Sequence, residues 1–219
     1  NRQGFNDPLE GRAIELDPSF ADAHFALGIC HSTRESRTKA IAFFRRAIEL
    51  RPDKMEAHIA LAQALQRADS SQAGVAAVKR ALLVFPDNPE LYFNLGYIYF
   101  HMAQKDSAIW AYRKTLEADS NNAEAWYNLS LNLLEQNRVH EGLEANSRAT
   151  LLWPRHLVAR EQVLRALALL GELDEAVRLY REWLAEEPNN PVVQHQLAAC
   201  LQGLAARRGK ADAARAAEA

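Results

Sequence analysis

A fixed spacing of proline residues constrains this chain more than any other feature of its sequence. Five of its eight prolines are separated by 34 residues or by twice that distance, and Ser120 occupies the place in the middle where a proline would complete the series. These prolines are Pro18, Pro52, Pro86, Pro154 and Pro188. Self-similarity with a period of about 20 to 50 residues is typical of proteins built from stacked supersecondary units. The sequence therefore predicts a repeat protein.

Small side chains recur with the same period, at two places ahead of each proline position. The nearer set is Ala13, Ala47, Ala81, Thr115 and Ala149. The farther set is Ala40, Gly74, Ala108, Gly142 and Ala176. Between them the apolar residues follow a helical spacing, as at Leu91, Leu95 and Ile98. Because small residues allow two helices to approach closely, each unit is predicted to be a helical hairpin.

The residues of these units resemble the tetratricopeptide repeat family. The family's order of aromatic, Leu-Gly, aromatic, small residue and aromatic is present here as Tyr92, Leu95, Gly96, Tyr99, Ala108 and Tyr112. A further unit offers Trp126, Leu129, Ala149 and Pro154. The resemblance implies an all-α fold, a right-handed α-solenoid of helix-turn-helix repeats. We expect five full repeats, at 21–54, 55–88, 89–122, 123–156 and 157–190.

The two ends of the chain are predicted to hold incomplete repeats. Residues 1–20 carry the end of a second helix, and residues 191–219 supply a C-terminal capping helix or a partial repeat with a short second helix after Gly209. The fifth repeat departs most from the pattern, because Arg160 and Trp183 replace an aromatic and a small residue. We expect this repeat to loosen first on heating.

The resemblance also implies that the first helix of each repeat lines a concave groove. Helical offsets from the signature residues place nine side chains there. The apolar and aromatic candidates are Phe93, Tyr97, Phe100, Tyr127 and Leu131, and the polar candidates are Asn94, Asn128, Gln162 and Gln196. Primary amides can both donate to and accept from a peptide backbone, so a row of them suits an extended segment. The alternative is that these amides are ordinary repeat consensus.

Acidic residues recur near the start of four successive first helices, at Asp22, Glu56, Glu90 and Glu124. They are interpreted either as an edge that attracts a basic partner or as first-turn acids stabilised by the helix dipole. The interpretation as first-turn acids is favoured.

Signatures of catalysis and of cofactor binding are missing from the sequence. No two glycines are closer than six residues, which excludes the dinucleotide fingerprint and the phosphate-binding loop. His24, His31 and His58 occupy aromatic places of the repeat, so packing explains them. Cys30 and Cys200 are expected to lie too far apart for a disulfide. We therefore predict no catalytic residue, no metal and no cofactor.

Charge and hydropathy limit the classes of partner. The net charge of -2 gives no global field to hold nucleic acid, and no apolar run approaches the length of a membrane span. A cytoplasmic location is favoured, with no membrane insertion.

The sequence favours one function over its alternatives. The favoured function is a non-catalytic scaffold that binds an extended or helical segment of another protein. Self-association through the terminal hairpins is a further expectation. The alternative is the substrate-recognition region of a larger glycosyltransferase or methyltransferase.

Overall fold

A computed structural model describes residues 8–32, 36–154 and 156–218 of the chain. Within these residues all the regular structure is α-helical, and twelve helices follow one another. They are α1 Pro8–Leu16, α2 Ala21–Cys30, α3 Arg37–Leu50, α4 Met55–Arg67, α5 Ser71–Val84, α6 Pro89–His101, α7 Lys105–Ala118, α8 Ala123–Glu135, α9 Val139–Leu152, α10 Leu157–Leu170, α11 Leu173–Glu186 and α12 Pro191–Glu218. The predicted all-α class of helix-turn-helix repeats is confirmed.

The turns inside the hairpins share one backbone conformation. Asp69, Ala103, Asn137 and Gly171 all have positive φ, between 55° and 76°, and follow one another at the repeat spacing. In the third hairpin the N–H of Ala103 donates to the Phe100 carbonyl and that of Gln104 to the Tyr99 carbonyl, both at 2.9 Å. This pair of bonds is a Schellman motif, which satisfies the last carbonyls of a helix. The equivalent residue of the first hairpin lies outside the described residues.

Two kinds of side-chain hydrogen bond fix the start of first helices in this chain. Asn88 and Asn122 cap α6 and α8, because each side-chain oxygen accepts from a backbone N–H three residues on, at 3.0 and 2.9 Å. Slightly further along, the buried ring of His58 lies 2.8 Å from the Pro52 carbonyl through Nε2. The ring of His24 makes the same contact with the Pro18 carbonyl at 3.0 Å. These two histidines therefore connect α2 and α4 to the proline turn that precedes each of them.

Close helix approach inside each hairpin depends on the small residues. Gly96 faces the fully buried Tyr112, and a Cβ built on this glycine would lie 2.8 Å from the tyrosine ring. Gly28 faces Phe44 in the same way, with an even shorter separation of 2.4 Å. The small residues of the second helices are also completely buried, among them Ala40, Ala47, Ala81, Ala108 and Ala149. Any larger side chain at these places requires a wider hairpin.

The chain divides into two compact units, with the boundary between Asn121 and Asn122. The first unit contains a core cluster around Phe44, Leu61 and Leu65. The second contains a cluster around Leu164 and Tyr180 that also buries Trp183. The last helix, α12, is continuous from Pro191 to Glu218, so the structure has no separate second helix after Gly209.

Candidate peptide-binding surfaces

The predicted site residues of the first unit lie on α6 and form an aromatic surface. Tyr97 is 43% exposed, and its ring packs edge-on against His101 with centroids 4.4 Å apart. Phe100 also contacts the His101 ring, at 5.5 Å. Phe93 is half-buried against Tyr112, with 5.8 Å between ring centres. Tyr97 is therefore the most accessible aromatic of the predicted group.

Asn94 is buried and already partly engaged within the unit. Its Nδ2 donates to the Glu90 carbonyl at 2.8 Å, and its Oδ1 accepts from Gln63 Nε2 at 3.0 Å. The amide therefore keeps one N–H and one oxygen lone pair, half of its hydrogen-bonding capacity, and its side chain is buried. Sequence reasoning missed Gln63, although an amide on the neighbouring first helix is a signal that this contact could have been sought.

The other predicted residues belong to the second unit, where all are half-buried. They are Tyr127, Asn128, Leu131, Gln162 and Gln196. Tyr127 packs edge-on against His156, with 5.0 Å between ring centres, and burial raises the pKa of its phenol. The backbone carbonyl of Asn128 accepts from Asn132 Nδ2 at 2.8 Å. The predicted residues thus form two groups, one in each unit.

His156 is a helix-capping position beside Tyr127 that sequence reasoning missed. Its Nδ1 accepts from the Ala159 N–H at 3.1 Å and caps α10, in the place where Asn88 and Asn122 cap earlier helices. The ring also stacks on Trp153, with 4.2 Å between centres, so it is held between two aromatic side chains. The repeated asparagine at this place was the available signal.

Not all of the acidic side chains in the first turns are available to bind a partner protein. The Asp22 carboxylate binds Lys54 at 2.9 Å and Arg51 at 2.5 Å. The hydrogen bond from Lys54 holds the pKa of this carboxyl below its usual value. Lys54 also lies over the Phe25 ring, 4.6 Å from its centre. In the first repeat this acid is therefore part of an internal network.

Metal-binding clusters and membrane-spanning helices are both absent from the part of the chain that the structure describes. No cluster of three or more histidine, cysteine or acidic side chains there could hold a metal ion. None of the described helices has the length and apolarity to cross a lipid bilayer. Cys30 is half-buried and Cys200 buried, and neither of these two described residues forms a disulfide. Burial raises the pKa of the Cys200 thiol.

Helical hairpins of one length, closed by the same turn and tied to recurring prolines, define an all-α protein of helix-turn-helix repeats. One family model described as tetratricopeptide repeat matches residues 11–54, 59–123 and 102–156. A second model with the same description matches residues 157–200. The chain belongs to the tetratricopeptide repeat family.

Solved structures share this fold at low sequence identity. Two crystal structures of MamA are 21% and 20% identical to the chain, with TM-scores of 0.65 and 0.67. They cover 74% and 77% of the chain and 94% and 92% of their own lengths. YrrB, described as a TPR protein with an unusual peptide-binding site, is 19% identical with a TM-score of 0.64, covering 85% of the chain and 96% of YrrB. Comparison with curated protein sequences gives no significant match.

Proposed function

We propose that the chain is a non-catalytic scaffold that binds an extended or helical segment of another protein along its first helices. The observation that carries this proposal is the accessible aromatic surface of α6, where Tyr97 is 43% exposed beside His101 and Phe100. Aromatic side chains supply large contact areas with little rotamer entropy to lose.

The second unit offers half-buried amides of its own. Asn128, Gln162 and Gln196 are all partly accessible and can hydrogen-bond to a peptide backbone without reading its side chains. Asn94 contributes less, because its amide is buried and half of its hydrogen-bonding capacity is used by Gln63 and the Glu90 carbonyl. In this proposal, aromatic contacts dominate in the first unit and amide contacts in the second.

The similarity to YrrB supports a peptide ligand, since that protein is described as having an unusual peptide-binding site. Because the identity is 19%, this likeness shows a shared fold, and the peptide ligand itself is part of the proposal. The alternative, in which the repeats select substrates for a larger transferase, stays a prediction from the sequence.

The test compares two double variants against a purified partner that has first been recovered with the wild-type chain. Tyr97→Ala with Asn128→Ala should weaken binding about five- to a hundred-fold, since each contact contributes about 0.5–1.5 kcal/mol. Arg45→Ala with Arg46→Ala, two exposed residues of α3, is the control and should bind like the wild type. Loss of binding in the α3 variant alone would contradict the proposal.

A further inference from the structure

A cavity of about 780 Å³ opens in the second unit, away from the predicted site residues. Its apolar wall consists of Leu157, Val163 and Leu164 from α10 and Leu179 from α11. Leu164 is buried, whereas Leu157 is 47% exposed, so the cavity has an apolar floor and an accessible rim. The volume lies within the range of about 300–1,000 Å³ that is usual for ligand pockets.

The fifth repeat departs from the repeat pattern beside this cavity. Trp183 is buried where Ala81, Thr115 and Ala149 are completely buried in earlier repeats. The guanidinium of Arg160, which lines the cavity, lies over the Trp183 ring.

The charged part of the lining contains one cation and three carboxylates. Arg160 lies over the Trp183 ring, 4.9 Å from its centre, and its guanidinium donates to Glu186 at 2.6 Å. This hydrogen bond holds the pKa of Glu186 below its usual value. Arg160 is thus fixed by two contacts and neutralises one of the three carboxylates.

Of the other two carboxylates, Glu187 alone lacks an ion pair among the residues that the structure describes, and it leaves the lining with an excess of negative charge. Glu182 is paired with Arg178 at 2.5 Å. Glu187 accepts from Asn190 Nδ2 at 2.7 Å and has no ion-pair partner among the residues that the structure describes. A cavity that joins apolar walls to excess carboxylate attracts a cation attached to an apolar body and repels an anion.

We propose that this cavity binds a basic segment of a partner protein, taking an arginine or lysine side chain together with an adjoining apolar residue. The cationic group contacts Glu187 and Glu182, and the apolar residue packs on Leu157 and Leu164. This site uses other side chains than the surfaces of the proposed function, although its apolar wall includes α10, the first helix of the fifth repeat. Failure of either proposal therefore leaves the other standing.

The test uses three acetylated and amidated peptides, Ala-Leu-X-Leu-Ala, in which X is arginine, citrulline or glutamate. Citrulline keeps the shape of arginine without its charge. At low ionic strength the arginine peptide should bind the full chain about five- to tenfold more tightly than the citrulline peptide, and the glutamate peptide should bind most weakly. Equal binding of all three peptides, or no binding at millimolar concentration, would overturn the proposal.

Two carboxamide variants locate the binding. Glu182→Gln with Glu187→Gln should remove the preference for arginine over citrulline, whereas Glu117→Gln with Glu144→Gln, which changes two exposed glutamates elsewhere, should retain it. An unchanged preference in the first variant would refute the site. Circular dichroism confirms that both variants are folded.

Two further measurements separate this site from its alternatives. Tyr97→Ala with Asn128→Ala should leave binding of the arginine peptide unchanged, and loss of binding would move the peptide to the first-helix surfaces. Acetylated arginine amide should bind at least about tenfold more weakly than the peptide, because it lacks the apolar neighbours. Equal affinity would mean a small-cation site and would overturn the segment proposal.

Discussion

The guanidinium of Arg160 lies over the indole of Trp183, with its central carbon 4.9 Å from the ring centre. Both residues depart from the repeat pattern, and the structure shows that the two departures meet. Arg160 occupies the aromatic place of the first helix, Trp183 occupies a small-residue place of the second helix, and the planar guanidinium covers the indole. Trp183 is buried, and Glu186 accepts a hydrogen bond from the same guanidinium.

This contact makes a double-mutant cycle the natural test of the fifth repeat. Arg160→Met keeps the apolar stem, and Trp183→Leu keeps an apolar core residue. We expect the two to be coupled by about 0.5–1 kcal/mol in the free energy of unfolding, measured by urea denaturation followed by circular dichroism. Additive effects would show that the two side chains only happen to be adjacent.

The same contact bears on the prediction that the fifth repeat loosens first, which stays a prediction. Hydrogen exchange measured segment by segment tests it directly. Arg160→Met should accelerate exchange in α10 and α11 more than in α8 and α9. Equal acceleration in all four helices would show that the second unit opens as one body.

The positive φ of 56° at Ala103 predicts a stabilising substitution. Alanine in this left-handed conformation is strained by about 1–2 kcal/mol, and glycine relieves that strain at some cost in chain entropy. Ala103→Gly should therefore raise the free energy of unfolding by about 0.5–1 kcal/mol in urea denaturation. The control is Ala76→Gly, at an exposed position inside α5, which should lower it by about 1 kcal/mol. Destabilisation by both substitutions would contradict the turn geometry.

The cap on α10 predicts how substitutions of His156 differ. His156→Ala removes the acceptor for the Ala159 N–H and should cost about 0.5–2 kcal/mol. His156→Asn restores the acceptor that caps α6 and α8, so it should retain most of the stability. Thermal unfolding of both variants, with Asn122→Ala as the matched loss of a cap in α8, provides the measurement. If alanine and asparagine were equally damaging, the aromatic contacts with Trp153 and Tyr127 would be the main role of His156.

The bond between Gln63 and Asn94 predicts that these two amides act together. Gln63→Ala should lower the stability of the first unit on its own but add little in the Asn94→Ala background, where the shared contact is already lost. Asn94→Ala should cost more than Gln63→Ala, because it also removes the bond to the Glu90 carbonyl. Each loss is expected to be about 0.5–1.5 kcal/mol. Fully additive losses would show that the two side chains act independently and would free Asn94 for a ligand.

The fold could be predicted from the sequence because its determinants are local and periodic. The spacing of the prolines and of small residues such as Ala47 and Gly96 specifies hairpins of one length. The backbone at Ala103 could not be predicted in this way, because alanine is an unusual residue for a left-handed turn. His156 was missed for a similar reason, since histidine is not among the preferred capping residues.

The candidate sites were less predictable because they depend on contacts between distant residues. Helical offsets named Tyr97 and Asn94 as equivalent members of one surface, yet Tyr97 is exposed and Asn94 is held by Gln63. The cavity in the second unit is lined by residues of two helices together with Thr150, Pro154 and Glu187, so no single residue predicts it. Side-chain packing of this kind has no periodic signal in the sequence.

Site-specific photo-crosslinking tests the central claim most directly, because it captures a partner whose identity is still open. A photoreactive phenylalanine analogue is placed at Tyr97 or Asn128 on first helices and, as controls, at Arg45 or Lys79, which are exposed on second helices. The account predicts that one and the same protein is crosslinked from Tyr97 and from Asn128 and not from either control position. Crosslinks from Arg45 and Lys79 alone would show that the partner binds the second helices, and would contradict the account.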